Sequence, residues 1–155
     1  MARAGFTAIT SGAIRFGKDG RWYCDDEPIP NRAICQLYSR TLRVLPDGRA
    51  RLELGEDKAD VLIEDTPWVV TEVDRGPAGA FTVALSDGTR EPLDPASLRT
   101  SADHVLYCRV KGGVHEARFL RPAYYELMRH AEPGPAGECV LPVGDLRVVL
   151  AHRAG

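Results

Sequence analysis

Turn signals constrain this chain more than any other feature. Asp19-Gly20, Pro46-Asp47-Gly48, Gly76-Pro77-Ala78-Gly79, Asp87-Gly88 and Gly112-Gly113 cut it into short pieces. Glycine supplies the positive φ that tight hairpin turns need, and aspartate tolerates the positions beside it. Several of the pieces between turns alternate apolar and polar side chains, the period of a strand with one face buried. A chain punctuated in this way folds mainly as hairpins.

Strands are expected over residues 13–16 and 21–24, joined at Asp19-Gly20, with the acidic, proline-containing stretch Asp25 to Pro28 after them. Further strands are read over 49–54, 59–63, 68–73 and 80–85. Residues 91–101 are polar and proline-broken and read as the main connector. The pieces 104–110 and 114–120 form a hairpin about Gly112-Gly113. That turn sets Val110 opposite His115, Arg109 opposite Glu116, Cys108 opposite Ala117, Tyr107 opposite Arg118 and Leu106 opposite Phe119. This register sorts Leu106, Cys108, Ala117 and Phe119 onto one face and an Arg109–Glu116 pair onto the other. Two strands, 138–143 and 146–152, close the chain.

Two stretches change period. A helix is expected from Pro30, since proline suits a first helical turn. Ala33, Ile34, Leu37, Tyr38, Thr41 and Leu42 form its apolar stripe, and the Pro46-Asp47-Gly48 turn ends it. A second helix opens at Pro122, with Ala123, Tyr124, Leu127, Met128 and Ala131 as its stripe, and stops at residues 133–137. Each helix follows a strand, carries Gln36-Leu37 or Glu126-Leu127, and leads through a proline-and-glycine turn to another strand. This parallel grammar predicts an α+β fold of two related small strand-helix-strand halves, mostly antiparallel sheet with two main helices. The expected division is a lead over residues 1–12, one half over 13–75 and another over 76–155.

Composition narrows the function classes. The 155 residues carry a net charge of −2 and a pI near 6.1. A nucleic-acid backbone binder needs a basic surplus, so no nucleic-acid partner is expected. Apolar runs such as Val148 to Ala151 are far too short to span a bilayer. Residues 1–16 lack the solid apolar core of a secretory signal, which leaves the cytoplasm as the default and no membrane partner. The cysteines, Cys24, Cys35, Cys108 and Cys139, form no Cys-x-x-Cys pair and read as reduced thiols.

The motifs of serine hydrolases, phosphate loops, dinucleotide-binding folds and zinc proteases are all missing. His104 and His115 could approach across the hairpin near Cys108, but zinc needs three or four converging ligands, and lone histidines on strands are ordinarily surface residues. Asp25-Asp26-Glu27 and Glu64-Asp65 read as solvated turn residues rather than an acid/base pair. One constellation carries ligand chemistry. Arg118 and Arg121 lead into the second helix, whose start offers N–H groups and partial positive charge, and Asn31 and Arg32 hold the same place on the first. Arg109 lies near Arg118 in the hairpin. Trp22, Tyr23, Trp68, Tyr124 and Tyr125 supply flat faces. Arginines at helix starts with aromatic faces suit a nucleotide-like or other anionic small molecule. The plainer reading pairs Arg109 and Arg118 with Glu116 and puts the aromatic rings in the core.

These residues resemble a known family. Asp19-Gly20-Arg21-Trp22-Tyr23, then Pro28-Ile29, then Ala33 through Leu37-Tyr38-Ser39 are similar to the opening of the bacterial domain of unknown function 1285 family. Lys58, Ile63 through Trp68, Arg109, and Arg121-Pro122-Ala123-Tyr124-Tyr125-Glu126-Leu127 look like its later segments. The resemblance spans residues 13–150. It implies a duplicated α+β core whose second half is loosely similar to pleckstrin-homology domains. It implies no established activity, a nucleotide-like ligand between the halves, and a role in signal transduction. The chain departs from the family pattern at Asn31, where an arginine is usual, in its shortened lead-in, and at Leu141, Val148 and Val149, where aromatic residues are expected.

The leading expectation is a non-enzymatic ligand-binding or signal-transduction accessory protein with Trp22, Asn31, Arg32, Arg109, Arg118, Arg121 and Tyr124 at its ligand site. The alternative is a protein–protein interaction module that pairs through a sheet edge, a homodimer included. An enzyme would need a reactive Cys24 or Cys35 beside a histidine, and no spacing supports one. No cofactor is indicated.

Overall fold

The computed structural model describes residues 12–151. It forms two compact units. Among the described residues, one holds those up to Trp68 together with Ser86–Gly88, and the other holds Val69–Leu85 and those from Thr89 onward.

In the first unit, β1 (Ile14–Phe16), β2 (Trp22–Cys24) and β3 (Glu27–Pro28) form a meander. The helix α1 (Arg32–Thr41) follows, then a second meander of β4 (Leu42–Val44), β5 (Ala50–Leu54) and β6 (Asp57–Ile63). The sheet order is β3-β2-β1-β6-β5-β4, and β1 runs parallel to β6 with Ile14 beside Val61 and Phe16 beside Ile63. Alternation puts Ile14, Phe16, Trp22 and Leu52 on the buried face. Tyr38 on α1 sets its ring edge-on to Trp22 at 5.4 Å, and Phe16 lies 4.8 Å from Trp22.

The Asp25-Asp26 turn is as expected here, and other expectations change. Asp25-Asp26 is the tip of the β2–β3 hairpin, with φ of 51° and 66°. Ala13 N–H donates to Asp25 Oδ1 at 2.8 Å, and an aspartate anchored this way can hold the left-handed backbone that would otherwise favour glycine. The first helix starts at Arg32 rather than Pro30, because the Asn31 side chain caps it. It ends at Thr41 rather than at Pro46-Asp47-Gly48, because Leu42 turns extended and pairs with Leu52. Helical spacing and strand alternation share Leu42, and cross-strand pairing decides between them.

The second unit repeats the sheet plan. Its sheet contains β7 (Trp68–Arg75), β8 (Phe81–Leu85), β9 (Arg90–Pro92), β10 (Arg99–Thr100), β11 (Leu106–Val110) and β12 (His115–Phe119) in the order β10-β11-β12-β7-β8-β9. In both sheets, two three-stranded meanders meet through the first strand of one and the last strand of the other. The link between meanders differs: α1 in the first unit, a 3-10 turn over Pro95–Ser97 in the second. Residues read as a bare connector therefore hold β9, that turn and β10. The second helix, α2 (Arg121–Met128), lies after the repeated plan rather than inside it. It leads to a small sheet of β13 (Glu132–Pro133), β14 (Cys139–Val143) and β15 (Leu146–Ala151).

The hairpin register matches expectation in four pairs, Tyr107–Arg118, Cys108–Ala117, Arg109–Glu116 and Val110–His115. Leu106, Cys108, Val110, Ala117 and Phe119 face the core with Val70, Phe81, Val83, Ala123, Leu127 and Leu141. Each large aliphatic or aromatic side chain buried in this way stabilises the unit by about 1.5–3 kcal/mol. No helix among the described residues is long and apolar enough to cross a membrane.

Candidate functional site: an arginine row and an open helix start

Cross-strand partners point to the same face of a sheet. Arg99 stands opposite Tyr107, and Tyr107 opposite Arg118, so one row crosses β10, β11 and β12 on the face away from the core. The Arg99 guanidinium lies 4.3 Å from the centre of the Tyr107 ring. It also grips Glu116 with both prongs of its fork, Nε to Oε2 at 2.5 Å and Nη2 to Oε1 at 2.8 Å. A charged, bidentate pair of this kind fixes geometry well.

Arg109 stands opposite Glu116 but does not pair with it. Its Nε donates to the Gly113 carbonyl at 2.8 Å and its Nη2 to the Val114 carbonyl at 3.4 Å. The positive φ values of Lys111, Gly112 and Gly113 place these hairpin carbonyls within its reach, while Arg99 takes the carboxylate. The expected Arg109–Glu116 ion pair is therefore replaced by an Arg99–Glu116 pair. Arg118 is half-buried in the same row. Burial holds the His115 imidazole below its usual pKa, and Lys111 and Arg109 push it the same way.

The helix α2 begins immediately after β12. Leu120 N–H donates to Val70 O at 3.0 Å, and Tyr124 N–H donates to Leu120 O at 2.8 Å. Leu120 offers no side-chain cap, and Pro122 has no N–H. Arg121 is exposed, with no ion pair among the described residues. Tyr125, one turn on, is 60% exposed. Tyr124 packs against the core and sets its ring edge-on to Tyr125 at 5.6 Å. One more turn along, Arg129 pairs with Glu126 at 3.2 Å. Arg121, Tyr125 and Arg129 thus form a single stripe at i, i+4 and i+8.

The other expected site residues lie in the first unit. Asn31 Oδ1 accepts the Ile34 N–H at 3.1 Å, so this helix start is closed by its own side chain. Arg32 is exposed beside it. Trp22 is 1% exposed and its indole N–H donates to Ser39 Oγ at 3.0 Å, which makes it a core residue. Trp68 is likewise buried and donates to Ser39 O at 3.0 Å. Tyr23 carries the Arg15 guanidinium over its ring at 4.1 Å. The structure therefore brings Arg109 and Arg118 onto one sheet face, puts Arg121 and Tyr124 on the next element, and leaves Trp22 inside the core. His104 lies outside β11, exposed and with a φ of 64°, and Cys108 is fully buried. No three metal-ligating side chains converge among the described residues.

Sequence reasoning missed Arg99, the residue that holds Glu116. It sits in the segment read as connector, and the usable signal was the short extended run Leu98-Arg99-Thr100 just before the hairpin.

Compared with protein-family models the chain matches none, and compared with curated proteins it matches none. Solved structures do match. A crystal structure of a DUF1285 family protein from Silicibacter pomeroyi DSS-3 superposes with a TM-score of 0.69 at 20% identity, covering 97% of this chain and 94% of that one. The chain has the fold of a DUF1285 protein. A crystal structure of a DUF1285 family protein from Shewanella baltica OS155 agrees, with a TM-score of 0.60 at 21% identity over 76% of this chain and 91% of that one. The resemblance read from residues 13–150 and the DUF1285 fold thus point the same way.

Proposed function

We propose that this DUF1285-like chain is a non-enzymatic binding protein that holds an anionic, ring-bearing small molecule at the start of α2 and serves as a signal-transduction accessory of the cytoplasm. The observation that carries the reading is the open helix start. The backbone N–H groups of the first turn carry partial positive charge. Arg121 adds a full charge without an ion-pair partner among the described residues, and the exposed Tyr125 ring stands one turn away. An anionic group on Arg121 and the N–H groups, with a ring on Tyr125, is the chemistry of a nucleotide-like ligand. The α1 start offers no such place, because Asn31 fills it.

A thermal-shift panel of nucleotides, dinucleotides and anionic metabolites tests this. A ligand that binds only the folded state at a hundred times its Kd stabilises by about 2.7 kcal/mol. At least one panel member should raise Tm, and Arg121→Ala should remove the shift. A flat panel would overturn the reading.

A second reading, a protein-interaction module, draws on β15. This outermost strand of the small sheet leaves Leu146 56% and Val149 46% exposed. A dimer by light scattering that Val149→Lys dissolves would favour it.

A further inference from the structure

Charge is spread unevenly along the first unit. Residues 29–51, which hold α1, β4 and the start of β5, carry five arginines and one aspartate, a net charge of +4 in a chain of net −2. Arg49 pairs with Asp47, and Arg51 with Glu53. Arg32 and Arg40 on α1 and Arg43 on β4 are exposed, and none of the three has an ion pair among the described residues.

At β4 this charge meets an open backbone. The strand ends the sheet order, so its far side has no strand partner among the described residues. The register fixes which groups point that way. Leu45 N–H donates to Arg49 O at 2.7 Å, so Leu45–Arg49 and then Arg43–Arg51 are the hydrogen-bonded pairs of the hairpin. The N–H and C=O of Val44, between them, point away from β5. Sheets commonly guard such an edge with proline, and the edge strands β3 and β9 carry Pro28 and Pro92, but β4 has none. Side chains specify what fits beside it. Arg43 and Arg51 stand directly opposite each other on the outer face, an arrangement that is unfavourable between like charges. Asp60 follows Arg51 in the same row, which leaves the unpaired charge at the edge. Val44, on the other face, is apolar and half-buried. A strand added here needs carboxylates alongside Arg43 and apolar side chains alongside Val44, alternating along its length.

We propose that the free edge of β4 takes up an extended segment of a partner protein in which acidic and apolar residues alternate. The segment exchanges backbone hydrogen bonds with Val44, as strand addition does at other sheet edges. Its carboxylates meet Arg43, and its apolar side chains lie next to Val44. Arg40, three residues before Arg43, adds to the local field that steers an acidic chain toward the edge. This edge belongs to the first unit and does not depend on the reading given to the start of α2.

The test is a 15N-resolved NMR titration of the full chain with the blocked peptide Glu-Val-Glu-Val-Glu-Val and with its counterpart carrying Lys for Glu. The acidic peptide should shift the Val44 amide saturably and slow its hydrogen exchange, and added salt should weaken it. The Lys peptide should do neither. Arg43→Ala changes an exposed side chain without touching the backbone, and should weaken binding about threefold, the scale of a solvent-exposed charge pair. Val44→Pro removes the outward N–H and leaves the ladder to β5, so it should abolish binding while the Leu45 amide stays protected. Arg121→Ala should leave binding unchanged. No change at Val44 with millimolar acidic peptide, or equal binding of the Lys peptide, would overturn the proposal. Protection of Val44 that rises with protein concentration alone, together with a dimer by light scattering, would assign the edge to a second copy and overturn it as well.

Discussion

At Asn31 the side-chain Oδ1 already accepts the Ile34 N–H, so the residue both starts α1 and closes that helix end to a ligand. Asn31→Ala should cost about 1 kcal/mol, seen as a lower denaturation midpoint with unchanged m-value. Backbone conformation decides at other single positions. Gly79 has a φ of 85°, and a Cβ added there would lie 3.2 Å from the Gly144 backbone N, the group that donates to Gly79 O. Gly88 has nearly the same φ but open space around it. Gly79→Ala should therefore destabilise by about 1–3 kcal/mol, and by more than Gly88→Ala in parallel denaturant titrations. His115 gives a pH dependence. Burial, helped by Lys111 and Arg109, lowers its pKa in the folded state below the ordinary 6.5. The unfolded chain thus takes up the proton first. The stability His115 contributes is present above pH 6.5 and is lost as pH falls through the folded value. His115→Gln should flatten the fall in Tm on acidification from neutral pH, measured by calorimetry.

Among the elements, β10 shows how one ion pair positions a short strand. Its Arg99 grips Glu116 across β11, on β12, while covering Tyr107. Part-exposed pairs contribute at most about 1 kcal/mol, so Arg99→Ala should change global stability little. It should instead speed hydrogen exchange of the β10–β11 amides, where the pair holds the edge in place. The β11–β12 hairpin was legible because alternation and the Gly112-Gly113 turn specify the same register. The strands β3, β4, β9 and β10 were not. Each has only two or three residues, too few for a period to show, although each pairs with a strand next to it in sequence. Leu42 reads equally as the end of the α1 stripe and as the start of β4. The candidate site was legible in part. Arg121 is recognisable from Pro122 and the helical period after it, whereas Trp22 looks like a ligand face until Ser39 and Tyr38 are seen to enclose it.

Across the whole chain, the same meander pairing recurs in both six-stranded sheets, and this plan has the DUF1285 fold. The two helices hold different places in that plan, so the repeated grammar of strand, helix and strand was a guide to sheet-level kinship rather than to equivalent helix ends. The two helix starts also differ: one is capped by Asn31, and the other, at Arg121, has no side-chain cap. With a net charge of −2, the chain has no overall field that would draw anions, so the proposed site at α2 depends on local geometry. The most direct test of an anion site at α2 is a 15N-resolved NMR titration with a nucleoside diphosphate. Anion binding at α2 should give saturable shifts of the Arg121 and Ala123 amides, with Tyr125 ring signals moving alongside and the Ile34 amide at the α1 start unmoved. Shifts centred on Ile34, or no saturable shift at Arg121 and Ala123, would contradict it.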